Sequence, residues 1–192
     1  MVVYDAEQDP YCYPQSTVLK NIPDIRDASL LAQFEALAFE ERAIVPFPRG
    51  RLSVAHYCRI HRHLFQDVYS WAGQFRKVRI SKGDAMFCYP EYIKQEMQSH
   101  FAQLRDSDYF AELEPLDFAR STAHFLAHLN AIHPFRDGNG RCQNAFLGLL
   151  AARAGYDLDL TRMDPDAFLS AMIDSFHGDE QSLAQHIRLM LG

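Results

Sequence analysis

Nine consecutive residues, His133-Pro-Phe-Arg-Asp-Gly-Asn-Gly-Arg141, hold an imidazole, a carboxylate, two glycines and two guanidinium groups. Each type suits one part of a reaction at phosphate. An imidazole with an ordinary pKa of about 6.5 offers a neutral general base near neutral pH. A carboxylate such as Asp137 is a hard oxygen ligand, the kind magnesium takes together with substrate phosphates. Gly138-Asn139-Gly140 lets the backbone turn sharply and leaves room against the main chain. If that turn opens a helix, its unpaired N–H groups and dipole attract an anion. Arg141 adds a planar fork of donors for a second phosphate. The set describes a hydroxyl deprotonated by His133 and attacking a phosphate held by the loop. The same Asp-Gly-Asn-Gly string also serves as a plain tight turn, so the loop alone leaves both readings open.

The elements that must position these residues are helical. Phe118, Thr122, Phe125, Leu126 and Leu129 recur at helical spacing, predicting a helix over about 115–132 that delivers His133. Pro134 stops it, because the residue before proline is pushed out of the α region. Cys142, Phe146, Leu149, Leu150 and Arg153 continue the pattern, and Gly155 stands where a C-terminal cap glycine belongs. Ser29 is a candidate N-cap for a helix over 28–44, with Leu30, Leu31, Phe34, Leu37 and Ala38 as its apolar stripe. Ser53 caps a helix over about 53–66, Pro90 starts one that runs to about 106, and Asp164-Pro165 starts another. Phe168, Met172, Ile173 and Phe176 should face inward from that helix, and residues 180–191 form the last one. His61 and His63, two apart on a helix, point to different faces and do not suit a shared metal; one of them should face the core, hydrogen-bonded. Trp71 belongs in the core. Residues 74–88 break the pattern: Phe75, Val78 and Ile80 alternate with basic residues, and Gly83-Asp84 turns the chain, as in a short hairpin. Residues 1–27, with Tyr4, Tyr11, Tyr13 and Val18 among prolines, read as an arm packed on the helical body.

His-Pro-Phe-x-Asp-Gly-Asn-Gly-Arg resembles the core motif of the Fic-domain family, whose pattern closes with a further x-x-Arg. The likeness extends to Tyr11-Cys-Tyr-Pro14, to Ile60 through Gly73 and to Ser81-Lys-Gly83, segments similar to small stand-alone bacterial Fic proteins. The resemblance implies an all-α fold over a single domain, 1–192, with a flap at 74–89 and the active-site motif at 133–144. It implies an enzyme that transfers AMP from ATP, with magnesium, to a Tyr, Ser or Thr hydroxyl of a target protein. By the same resemblance His133 is the base and Asp137 the metal ligand. Gly138, Asn139 and Gly140 form the phosphate cradle, and Arg141 contacts the β-phosphate. Lys82, Gly83, Met86 and Phe87 lie on a flap that docks the target by strand pairing. The family's second arginine, which holds the γ-phosphate and pairs with an inhibitory glutamate, falls on Asn144, which cannot make a bidentate charged pair.

Many relatives also carry an inhibitory Ser/Thr-x-x-x-Glu followed by Gly or Asn; no glutamate here is so followed, and Ser170-Ala-Met-Ile-Asp174 comes nearest. That resembles the toxin of a toxin–antitoxin pair whose small partner supplies the glutamate, with B subunits of type II topoisomerases as candidate targets. Transfer of UMP or another phosphate-bearing group, and a degenerate module that binds nucleotide or a partner without turnover, are the rival readings.

A net charge of −6 argues against nucleic-acid or anionic-membrane binding. No apolar run approaches the roughly 18 residues of a membrane span, and the acidic N-terminus does not resemble a signal peptide. Cys12, Cys58, Cys88 and Cys142 are scattered, as expected of reduced thiols in a cytoplasm.

Overall fold

Every residue of the stripe Phe118, Thr122, Phe125, Leu126 and Leu129 is buried, and the helix that carries it occupies the middle of the molecule. The computed structural model describes residues 9–82 and 85–192. Among them the helices are α1 (Ala28–Ala43), α2 (Val54–Phe65), α3 (Pro90–Asp106), α4 (Pro115–Ile132), α5 (Asn139–Ala154), α6 (Pro165–Phe176) and α7 (Gln181–Met190). The architecture is all-α, as the pattern predicts. The central α4 packs against α3, α5, α6 and α7, while α2 bridges α1 to α5. Proline at the first turn starts α3, α4 and α6, where its missing N–H has no intrahelical partner to lose. Gly155, in the left-handed conformation at φ 92°, closes α5.

Several details depart from the pattern. The α1 cap is Asp27, which accepts from the Leu30 N–H, and not Ser29, which lies inside the helix. Of the α1 stripe, Leu31 and Ala38 are buried, but Leu30 and Leu37 are 57% and 63% exposed. This helix is apolar around much of its circumference, so spacing does not choose its inner face. In α6, Phe168 and Met172 face the core, whereas Ile173 opens onto a cleft. The segment 75–80 is not a strand. Regular pairing is confined to β1 (Ser81–Lys82) and β2 (Ala85–Met86), antiparallel, with Ser81 opposite Met86. So short a ribbon has no stability of its own. It is held through its base, where Arg76 is buried and Ile80 and Phe87 pack inward.

The N-terminal arm packs as expected: Val18 and Leu19 are buried, Cys12 bridges Leu19, and the Tyr11 ring meets Trp71 edge-on at 5.7 Å. Trp71 is in the core. The four cysteines are free thiols. Tyr4, Gly83 and Asp84 lie outside the described residues. Among the described residues, no helix is long and apolar enough to cross a membrane.

Candidate active site

The nine-residue stretch joins the C-terminus of α4 to the N-terminus of α5, and three buried contacts fix its path. Phe135 is fully buried and stacks on His61 at 3.8 Å and on Tyr57 at 5.5 Å. The Asn139 side chain accepts from the Phe135 N–H at 2.9 Å and donates to the Phe135 carbonyl at 2.8 Å. That side chain thus clasps the loop, and the backbone N–H is what Asn139 offers a ligand in the cradle expected at 138–140. Arg136, 4% exposed, donates twice to Asp9, at 2.9 and 2.7 Å, tying the outer face of the loop to the arm.

His61 is a further support, and it is the core histidine that helical spacing predicts. Its Nδ1 accepts from the Gly73 N–H at 2.9 Å, which leaves the proton on Nε2, and Nε2 donates to the Asp137 carbonyl at 2.9 Å. Burial pushes its pKa down to about 3, keeping this tautomer neutral. Gly138, at φ 77°, lies directly over the Phe65 ring and His61; a Cβ there would fall 2.5 Å from Phe65. This is a position where only glycine fits.

Beyond Gly138 the helix begins. The Cys142 N–H makes the first intrahelical bond, to the Gly138 carbonyl at 3.0 Å, so the amides of Asn139, Gly140 and Arg141 precede it. The spacing of the motif thus sets a carboxylate, three first-turn amides and an arginine at one helix N-terminus. Asp137, its side chain 47% exposed, accepts from the Gly138 N–H and lies 3.7 Å from Arg141. The protein around it and then the Glu35 carboxylate hold its pKa above the ordinary value. The Arg141 guanidinium rests on the Phe65 ring at 4.6 Å and pairs with Glu35.

His133 caps α4 in the left-handed conformation, φ 48° and ψ 62°, a strained setting for a residue with a Cβ. Its Nδ1 faces the Asn130 carbonyl at 3.2 Å, and since a carbonyl only accepts, Nδ1 carries the proton and Nε2 is the basic nitrogen. Burial first, then the positive charges of Arg76 and Lys82, lower its pKa to about 3. It is therefore neutral throughout the physiological range.

Arg76 holds this histidine in place, and no local pattern announces it. Almost fully buried, it donates to the carbonyls of His133 (2.8 Å), Val78 (2.7 Å), Cys88 (2.5 Å) and Ile132 (3.2 Å). Its backbone N–H also donates to the Pro134 carbonyl at 2.9 Å. One guanidinium thus joins the flap's two ends to the end of α4, where a cation is favoured by the helix dipole. Phe87, expected among target-docking residues, is buried and stacked on the imidazole at 3.9 Å. Met86, half exposed, and Lys82 remain on the open side of the flap.

His133, Asp137, Gly138, Asn139, Gly140, Arg141 and Asn144 all line one cleft of about 670 Å³, and Lys82 and Phe87 join them. Its far wall is apolar, built by Met163, Leu169, Ile173 and Phe176 from α6 and the turn before it. Gln143 also lines the cleft, and among the described residues its buried Nε2 has no hydrogen-bond partner. Such a cleft, with one apolar wall facing amides and a cation, accommodates a molecule with a flat apolar end and a phosphorylated end.

A family model described as the Fic/DOC family matches residues 51–151, which holds the whole motif stretch. Over 192 residues the chain is 50% identical to the probable protein adenylyltransferase y4lH of Sinorhizobium fredii, covering all of both chains. It is 36% identical over 180 residues to the probable protein adenylyltransferase Fic of Escherichia coli, covering 92% of this chain and 88% of that one. Among solved structures, the BepC effector of Bartonella tribocorum with bound AMPPNP superposes with a TM-score of 0.87 at 24% identity, over 98% and 99% of the two chains. That likeness carries the fold.

Proposed function

The chain belongs to the Fic/DOC family and is a nucleotidyltransferase, and we propose that it moves AMP from ATP to a hydroxyl of a target protein, with His133 as the base. The observation that carries this reading is the tautomer of His133. Its protonated Nδ1 is held by Asn130, and its basic nitrogen belongs to a ring at the lip of an anion-binding helix N-terminus. The target's hydroxyl oxygen forms a bond to the α-phosphorus, its proton passes to Nε2, and the bond to the β-phosphate oxygen breaks, releasing pyrophosphate. A pKa of about 3 makes the resting imidazole a weak base that is never lost to protonation. The polyphosphate's negative charge stabilises the imidazolium as it forms.

The amides of α5's first turn and Arg141 receive the phosphates. The apolar wall of α6 takes the base of the nucleotide. Asp137 suits magnesium: it is a single half-exposed carboxylate beside a phosphate site, and that ion takes few protein ligands and keeps the rest for phosphate and water. When bound there, the ion neutralises charge on the phosphate oxygens. Lys82 and Met86 flank the entry, where the short ribbon offers main-chain groups to an extended target segment.

Asn144 supports a second reading. It lines the cleft where the family pattern has arginine, and a short neutral amide offers a γ-phosphate no charged pair. On that reading the protein binds nucleotide or a partner without turnover. The presence of His133 and Asp137, which binding alone does not require, favours the enzyme. The lack of any glutamate followed by Gly or Asn supports a reading in which a small antitoxin supplies the inhibitory glutamate. On that reading the protein is a cytoplasmic toxin, and a type II topoisomerase B subunit is its candidate target.

The test is incubation with ATP radiolabelled on its α-phosphate, magnesium and a bacterial lysate, beside His133→Ala. The expected result is a labelled protein band that the variant loses, with rates down about 10²- to 10⁴-fold. Equal labelling by the variant overturns the role of His133. Magnesium-dependent ATP binding with no band for any nucleotide moves the conclusion to the binding module.

A further inference from the structure

Arg141 is held by a residue 106 positions away in sequence. Glu35 sits on α1, outside the segment matched by the family model, yet its carboxylate reaches the motif helix. One oxygen accepts from Arg141 Nη2, and the other accepts from the Tyr69 hydroxyl. The side chain is only 13% exposed. Its supports are themselves fixed. The Tyr69 ring stacks on Trp71 at 4.4 Å. Just beyond Glu35, α1 is anchored by Phe39 stacked on Phe65 at 6.1 Å, by an Arg42–Asp67 ion pair, and by His63 Nε2 donating to the Arg42 carbonyl at 2.9 Å. The guanidinium of Arg141 lies over Phe65 at 4.6 Å and Phe39 at 5.4 Å, so carboxylate and rings together leave it one orientation. Asp137 lies 3.7 Å from the same Nη2 that Glu35 holds.

We propose that Glu35 is a positioning residue of the phosphate site: it fixes the fork of Arg141 and supplies a second negative charge beside the cation seat at Asp137. The proposal rests on the reading in which Arg141 grips phosphate and Asp137 holds magnesium. Its physical content is a trade. The anion at Glu35 offsets part of Arg141's attraction for bare polyphosphate, and it adds to the attraction of the seat for a divalent cation. The site is thereby tuned toward the magnesium complex of the nucleotide. A fold that needed α1 only for packing would have no use for a part-buried carboxylate at this point.

The experiment is titration calorimetry of the full chain with ATP, in chelator and across a magnesium series, for the wild type and for Glu35→Gln. The amide keeps the shape, one acceptor for Arg141 and a donor toward the Tyr69 oxygen, but no charge. The expected result is a pair of opposite shifts. Metal-free ATP binds roughly three- to tenfold tighter, and the half-saturating magnesium concentration rises by a similar factor, the scale of one charge at close range in a partly screened site. Tyr69→Phe removes one hydrogen bond and keeps the charge, so its half-saturating magnesium stays within about twofold of the wild type. Both affinities unchanged in Glu35→Gln, or both weakened together, overturns the proposal, as does an equal magnesium shift in Tyr69→Phe. Arg141→Ala and Asp137→Ala separate this from the underlying reading. If the first keeps metal-free ATP affinity and the second keeps the magnesium dependence, the assignment of the site itself has failed.

Discussion

Gly138→Ala places one methyl group where the structure has no room for it. The added Cβ would lie 2.5 Å from Cε2 and Cζ of Phe65 and 3.1 Å from Nε2 of His61, and neither ring has a free direction of retreat. Phe65 is 1% exposed and His61 is fully buried, stacked between Phe135 and Phe65. The backbone adds its own penalty, since φ is 77° and a left-handed residue with a Cβ costs roughly 1–2 kcal/mol. Overpacking of a filled core costs about 1–3 kcal/mol more. The expected loss is therefore about 2–5 kcal/mol. At an unfolding entropy near 0.4 kcal/mol/K for a chain of this length, that lowers Tm by roughly 5–12 °C. Activity should fall further than stability requires, because the displaced rings carry Arg141 and the Asp137 carbonyl. Gly140→Ala is the control: its Cβ meets no atom within 4 Å, and alanine in a first helical turn is neutral or stabilising by up to about 1 kcal/mol. Thermal unfolding and transfer assays on the pair give the answer. A Gly138→Ala protein melting within about 2 °C of the wild type, with transfer intact, refutes the steric argument. If Gly140→Ala melts normally but loses transfer, the bare backbone at 140 is needed by the ligand.

Two further predictions concern buried charge. His61 and His133 have pKa values lowered to about 3, and His100 to about 4, all chiefly by burial. Between those values and the unfolded 6.5 the unfolded chain binds more protons, so stability is full above about pH 6.5 and is lost as pH falls. Urea unfolding should show stability falling by more than about 1.4 kcal/mol per pH unit between pH 6 and 5, a slope that one histidine cannot reach; a flat profile from pH 7 to 5 contradicts the buried neutral imidazoles. Arg76→Lys keeps the charge but cannot serve four carbonyls in three directions. It should lower stability by about 2–4 kcal/mol, as removing hydrogen bonds from buried acceptors does, and reduce transfer through His133. Unchanged melting and transfer would show that the flap and His133 are held by other contacts.

How much of this was legible in the sequence depends on how far apart the interacting residues lie along the chain. The motif residues that line the cleft fall within 133–144, so their types and spacing announce that side of it, and the stripes and cap residues of α4 and α5 announce the helices that present it. Where cap signals crowd together, as with Asp27 and Ser29, spacing fails by a residue or two. An α1 with leucines on several faces gives no inner face to read. Arg76 stands among Lys77 and Arg79 and has the sequence signature of a solvated charge. What buries it is a set of carbonyls at the end of α4, nearly sixty residues away, which no local pattern can predict. The Asn139 side-chain clasp is hidden for the opposite reason: its partner, Phe135, is only four residues off, but the reciprocal bonds exist only once the loop has folded around a buried ring.

The same contrast has a mechanistic consequence. On the proposed reading the motif supplies the atoms that meet the nucleotide, while the contacts that hold those atoms in place come from Asp9, Glu35, His61 and Arg76, each on a different segment. All four act on the loop through main-chain carbonyls or through other side chains, and none of them lines the cleft itself. Substitutions at these positions should therefore alter binding and turnover while leaving every motif residue intact. A chain that keeps the motif but changes these supports is where transfer would be lost without any visible change in the site's chemistry.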